Sequence, residues 1–212
     1  MKKFELLQKF QHRIPSILGS ESYAKYAVLL PLIETKDGLS ILFEVRAAGL
    51  RRQPGEICFP GGKCDPSDRD ELHTAIRETS EELGISESGV THTFPLDYML
   101  SPFGTIIYPF AGMISEENKL RPNTDEVGEI FTVPLDYLLK TKPDRYRVEF
   151  KIEPEEKFPF DLIAGGENYN WQTRQMDEYF YFFENRVIWG LTARILKHFL
   201  ELIREEKHTS SS

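Results

Sequence analysis

Two runs rich in apolar residues, 26–33 and 39–46, flank the polar break Lys36-Asp37-Gly38, and this pattern predicts a β-hairpin. Ahead of it, Phe4, Leu6, Leu7, Phe10, Ile14 and Leu18 recur at helical spacing and predict an amphipathic helix over about 1–18, stopped near Gly19. A second helix is expected behind the hairpin, capped by Asp68 or Asp70 and ended by Gly84. Strands follow at 93–98 and 106–114. A loop rich in Glu, Asn and Pro then leads into 129–133, and a short helix covers 135–139. Further strands are expected at 146–152 and 179–183. The last helix, 189–205, carries an apolar stripe suited to packing on a sheet, and about 206–212 reads as a frayed tail. No repeat and no long linker divides the chain, so one domain over 1–212 is expected.

Inside the second helix, Glu78, Glu81 and Glu82 stand at i, i+3 and i+4 and so share one face, a sector roughly 100° wide. Like charges at that spacing repel one another. An ordinary solvated acidic face is one reading, because Glu is a good helix former. A divalent cation held among the carboxylates is the other, and hard oxygen donors of this kind select magnesium or manganese over zinc. The double glycine Gly61-Gly62 lies shortly upstream, where it either admits a phosphate to backbone N–H groups or simply permits a tight turn.

The segment from Gly61 to Ile85 resembles the Nudix box, the loop-helix-loop that holds the metal of a diphosphate hydrolase. The match lies at Arg77, Glu78, Glu81, Glu82, Gly84 and Ile85. Thr79 stands where the general pattern has a bulky aliphatic residue, Arg69 occupies the slot of the first Glu, and Gly62 is one residue too far from Arg77. A narrower resemblance accounts for the longer spacing. The run Leu42-Phe43-Glu44-Val45-Arg46-Ala47, then Arg51, Gly55 and Phe59-Pro60-Gly61-Gly62, is similar to the signature of the coenzyme A pyrophosphatase branch of that family, with Phe43 and Glu44 replacing a Leu and a Thr. Asp65 and Asp68 match that branch too, as does Ile188-Trp189-Gly190-Leu191-Thr192-Ala193 at the start of the last helix.

The resemblance implies an α/β fold, the Nudix α/β/α sandwich with a mixed central sheet. It also implies hydrolysis of the diphosphate of coenzyme A or an acyl-coenzyme A to 3',5'-ADP and (acyl-)4'-phosphopantetheine, with Mg2+ or Mn2+ as cofactor. Two alternatives stay open: a Nudix hydrolase of another nucleoside diphosphate derivative such as ADP-ribose, and a catalytically silent ligand-binding module. Glu78 and Glu82 are the first candidates for metal ligands, with Glu81 completing the site or acting as base. Arg77 is expected to hold a carboxylate in place. Family members often draw the base from a distant loop, which makes Glu126 and Glu129 candidates, although an ordinary solvated loop charge is the plainer reading of both. Arg46 and Arg51 sit beside the glycine turn in an acidic chain, placed to pair with substrate phosphates, while Arg52 reads as a surface charge and Asp65 and Asp68 as turn and cap residues.

Composition narrows the partners. A net charge of -8 argues against a nucleic-acid backbone. Two cysteines, Cys58 and Cys64, are too few for a disulfide framework and suit a reducing compartment, and the histidines show no metal-ligand spacing. No run reaches membrane length, and the N-terminus lacks the apolar stretch of a signal peptide. A cytoplasmic protein, monomer or homodimer, acting on a small molecule is therefore expected; the final Ser210-Ser211-Ser212 is not a peroxisomal tripeptide.

Overall fold

The computed structural model describes residues 7, 8, 10, 11, 13–115 and 120–209. The expected N-terminal helix lies largely outside those residues. Of the ones described there, Leu7, Gln8 and Phe10 are helical and 13–17 are not.

The hairpin forms as β1 (Ala24–Thr35) and β2 (Gly38–Arg46), antiparallel and closed at Thr35 opposite Gly38, whose φ of 97° suits the turn. β1 then becomes the centre of a mixed eight-stranded sheet. It runs parallel to β7 (Thr105–Ile114) on one side and antiparallel to β2 on the other. Short strands fill the remaining positions: β3 (Ile57–Cys58) and β8 (Val127–Pro134) on β2, β4 (Gly61–Lys63) on β1, and β5 (Val90–Pro95) and β6 (Met99–Ser101) on β7.

Alternation along the two central strands sorts the core into two layers. Leu30, Leu32, Ile41 and Phe43 pack with Ala193, Leu196, Phe199 and Leu200 of the C-terminal helix. Ala27, Leu29 and Leu42 face the other way, against Ala75 and Leu83. Fully burying a side chain of this kind contributes about 1.5–3 kcal/mol, so each helix is held by its stripe rather than by propensity. The helix on the second face is α1 (Glu71–Leu83). Asp70 caps it by accepting from the His73 N–H at 2.7 Å, and Gly84, in the left-handed region at φ 63°, ends it. α2 (Leu135–Lys140) packs on β2 and β8, and α3 (Gly190–Thr209) closes the first face. The result is the expected α/β/α sandwich.

Several bounds differ from the expectation. The strand placed at 93–98 is two strands, 90–95 and 99–101, parted at 96–98, where the Asp97 N–H turns to His198 on the last helix; within the first of them His92 adopts a φ of 48° and the pairing with β7 slips between Thr91 and Phe94. β10 (Arg174–Phe183) begins well before Tyr179, through a polar stretch with Met176 as its one apolar residue, and pairs with β9 (Asp144–Phe150) and β11 (Arg186–Ile188) in a separate three-stranded sheet. α3 continues through Thr209, into the stretch read as tail.

Candidate active site

β4 brings the glycine turn onto β1, with Gly62 opposite Ala27 and Gly61 opposite Val28. The fit leaves no room for side chains. A Cβ on Gly61 (φ 153°) would lie 2.3 Å from the Ala27 carbonyl oxygen, and one on Gly62 would lie 2.3 Å from the carboxyl carbon of Glu78. The Gly61 N–H is already used, donating to Glu82 Oε2 at 2.8 Å. The double glycine therefore seats the two helix carboxylates against the sheet, and this N–H is not free for a phosphate.

Glu82 is only 5% exposed. Burial pushes its carboxyl up to about 7, with the Gly61 N–H pulling the other way and Glu78 and Glu126 adding to the rise. Burial likewise raises Glu78, against the opposing pull of Arg77. The Arg77 guanidinium is a hub: it donates to Asp68 from Nε (3.0 Å) and Nη2 (3.2 Å), to Glu78 from Nη2 (2.8 Å) and to Glu81 from Nη1 (3.2 Å). Asp68, whose side chain is 3% exposed, also accepts from Thr74 Oγ1 and from the Asp65 N–H. Hydrogen bonding from Arg77 holds its carboxyl well below the usual carboxylate range. Asp68 is thus an anchor for Arg77, while Asp70 does the capping.

A cleft of about 610 Å³ opens over this arrangement. Its polar wall carries Glu78, Glu82, Glu126, Arg46 and Arg52, and Ile57, Phe59, Ile107, Trp189, Leu191 and Ile195 line the rest. Of the residues singled out from sequence, Arg46, Gly61, Gly62, Glu78, Glu82 and Glu126 meet here. Glu81 does not; it is exposed and turned to Arg77. Glu129 is held by Arg186 outside the cleft. Arg51 is exposed and also outside it, whereas its neighbour Arg52 lines it. Trp189 faces the cleft, and Thr192 Oγ1 ties the start of α3 to the Ile57 carbonyl at 3.0 Å.

Glu44 is a feature that the sequence reading passed over. It lies on β2, on the same face as Leu42, 1% exposed, with its Oε1 buried and lacking a hydrogen-bond partner among the described residues. Burial, then the nearby Glu82, push its carboxyl well above the ordinary value. Arg46 Nε is likewise buried without a partner, and Cys58, opposite Glu44 on β3, has its thiol pushed up to about 12 chiefly by burial. The signal was present: a lone acid within the apolar run Ile41-Leu42-Phe43-Glu44-Val45.

The donor set fits a divalent cation in chemistry. Glu78 and Glu82 offer only carboxylate oxygens, both partly stripped of water, next to an orphaned buried carboxylate oxygen that a positive charge would satisfy. Among the described residues, no three His, Cys, Asp or Glu side chains are already gathered at ligand distances.

Comparison with known proteins agrees with the geometry. A family model described as NUDIX domain matches residues 24–151. A mouse protein named peroxisomal coenzyme A diphosphatase NUDT7 is 42% identical over 54% of this chain and 49% of its own length, so the chain spans about half of that relative. A human protein named mitochondrial coenzyme A diphosphatase NUDT8 is 34% identical over 85% of this chain and 70% of its own. The Nudix hydrolase NudL of Photorhabdus laumondii is 30% identical over 94% of this chain and 97% of its own.

Proposed function

Since the chain belongs to the Nudix family of hydrolases, we propose that it hydrolyses the diphosphate bond of coenzyme A or an acyl-coenzyme A, with magnesium or manganese held by Glu78 and Glu82. One observation supports this most: the paired carboxylates and Arg46, whose buried Nε has no partner among the described residues, line the same cleft, which suits a metal-bound diphosphate, and two of the matched relatives carry the coenzyme A diphosphatase name.

When bound, the ion supplies Lewis acidity toward the nonbridging oxygens and lowers the pKa of a coordinated water. The remaining work falls to the chain. Gly61 N–H orients Glu82, Arg77 orients Glu78, and Asp68 keeps Arg77 from swinging away. Arg46 and Arg52 are set to pair with phosphate oxygens through charge-assisted hydrogen bonds. Glu126 is the acid on the cleft wall left to take a proton from water, a better placed base than Glu81 or Glu129. The apolar wall from Ile57 to Trp189 lies beside the charged end, where a surface of low dielectric strengthens charge interactions.

Mass analysis of products from a panel of diphosphate compounds with Mg2+ or Mn2+ tests the reading. Coenzyme A should yield 3',5'-ADP and 4'-phosphopantetheine. Turnover of ADP-ribose or a dinucleotide polyphosphate with coenzyme A untouched would replace the substrate, and no turnover of any compound would leave a binding module.

A further inference from the structure

Burying a carboxylate is costly unless a cation or hydrogen-bond donors replace its water, so buried acids are ordinarily paired. Glu44 is not. It is 1% exposed, its Oε1 has no partner among the described residues, and its Oε2 has only the Cys58 thiol, a weak donor 4.0 Å away. Arg46, two residues on along β2, does not close the gap, since its own Nε is buried without a partner among the described residues too. The other charges that Glu44 meets, Glu82 from α1 and Glu126 from the turn ahead of β8, are acids. Glu44 therefore faces the same carboxylates that line the cleft, from the side of the sheet and from outside the segment 61–85 that carries Glu78 and Glu82.

Resting on the metal reading above, and not on the choice of substrate, we propose that Glu44 is a third carboxylate ligand of the divalent ion, reaching it from the sheet while Glu78 and Glu82 reach it from the helix. The three differ in how they are held. Gly61 N–H fixes Glu82 and Arg77 fixes Glu78, whereas no strong hydrogen bond among the described residues fixes Glu44, so its carboxylate can turn to an ion beside Glu82. Charge points the same way. Glu44, Glu78, Glu82 and Glu126 carry two negative charges more than Arg46 and Arg52 neutralise at this end of the cleft, and one divalent ion cancels that excess.

Calorimetric titration of the metal-free protein with Mn2+ tests this in two variants. Glu44→Gln keeps the shape and removes the charge, and Glu44→Asp keeps the charge and shortens the reach. Both should bind Mn2+ about tenfold or more weakly than the unaltered protein, and the rise in Tm that Mn2+ gives should shrink in both. Without metal, the Tm of Glu44→Gln should hold or rise because a buried charge is gone, which separates lost ligation from lost folding. Unaltered affinity in Glu44→Gln overturns the inference, and leaves Glu78 and Glu82 as the ligands if Glu82→Gln still weakens binding. Weak binding by Glu44→Gln with full affinity in Glu44→Asp also overturns it, since charge alone would then suffice. Absence of Mn2+ binding to the unaltered protein overturns the metal reading together with it.

Discussion

Two polar clusters meet at the cleft, and they are built in opposite ways. On α1 and the loop before it, Asp68, Thr74, Arg77, Glu78 and Glu81 satisfy one another, with Arg77 shared among three carboxylates. Opposite, on β2, Glu44 and Arg46 each bury a polar atom that has no partner among the described residues, beside a Glu82 raised to about 7. A saturated network holds a shape, whereas an unsatisfied one is stabilised by what binds it. The contrast separates scaffold from site, and each expected outcome below breaks one side of it.

The largest effect belongs to the open side. Glu82→Gln should lower turnover by about a thousandfold, about 4 kcal/mol of transition-state stabilisation, while the protein stays folded. Gln still accepts from Gly61 N–H and removes a buried charge, so Tm without metal should hold or rise at pH 8. Near-normal turnover at saturating magnesium would remove Glu82 from the site.

On the saturated side, stability is the readout. Arg77→Ala leaves Asp68 buried without its cation and Glu78 beside Glu81, and should cost about 3 kcal/mol, discounted from the full buried-pair range because Arg77 is partly exposed. Denaturant unfolding measures it, and a loss below about 0.5 kcal/mol would mean that the network is ornamental. Metal affinity should fall as well, since Glu78 loses its orientation.

A third outcome concerns pH. Glu82 titrates at about 7 in the fold against an ordinary 4.5, so between those values the folded state binds more protons than the unfolded one. The stability this confers is complete below about pH 4.5 and is lost as pH rises through 7, on the order of 3 kcal/mol from this group, with Glu44 acting in the same direction. Metal-free unfolding curves from pH 5 to 8 should show the decline, and Glu82→Gln should flatten it. Constant stability across that window would deny the desolvated carboxyl.

Much of this could be read from the chain, and what could not has physical causes. The hairpin, the capped helix and the shared face of Glu78 and Glu82 follow from periodicity and turn chemistry, which are local. β4 hides in Gly61-Gly62-Lys63 because a double glycine reads as a turn, and only the close approach to Ala27 and Glu78 shows why the glycines are there. The Asp68–Arg77 clamp joins a loop to a helix, and turn propensity alone leaves Asp68 and Asp70 as equal candidates for the cap that Asp70 makes. Arg51 and Arg52 are adjacent and chemically equal. Which one faces the cleft is decided by an irregular loop, with Gln53 at φ 52° and Gly55 at φ 75°, that carries no period to read. Two strands of the small sheet were legible at 146–152 and 179–183, but the first half of β10 was not, because Arg174 to Glu178 lack the apolar alternation that marks a strand.

If a divalent ion completes the open cluster through Glu82, its binding must ionise that carboxyl. Titrating the metal-free protein with Mn2+ at pH 6.5, by calorimetry in two buffers of different ionisation heat, asks this directly. Binding should release more than half a proton per ion, because Glu82 must ionise to become a ligand, and Glu82→Gln should bind at least tenfold more weakly with that release gone. Equal affinity and equal proton release in the two proteins would contradict it.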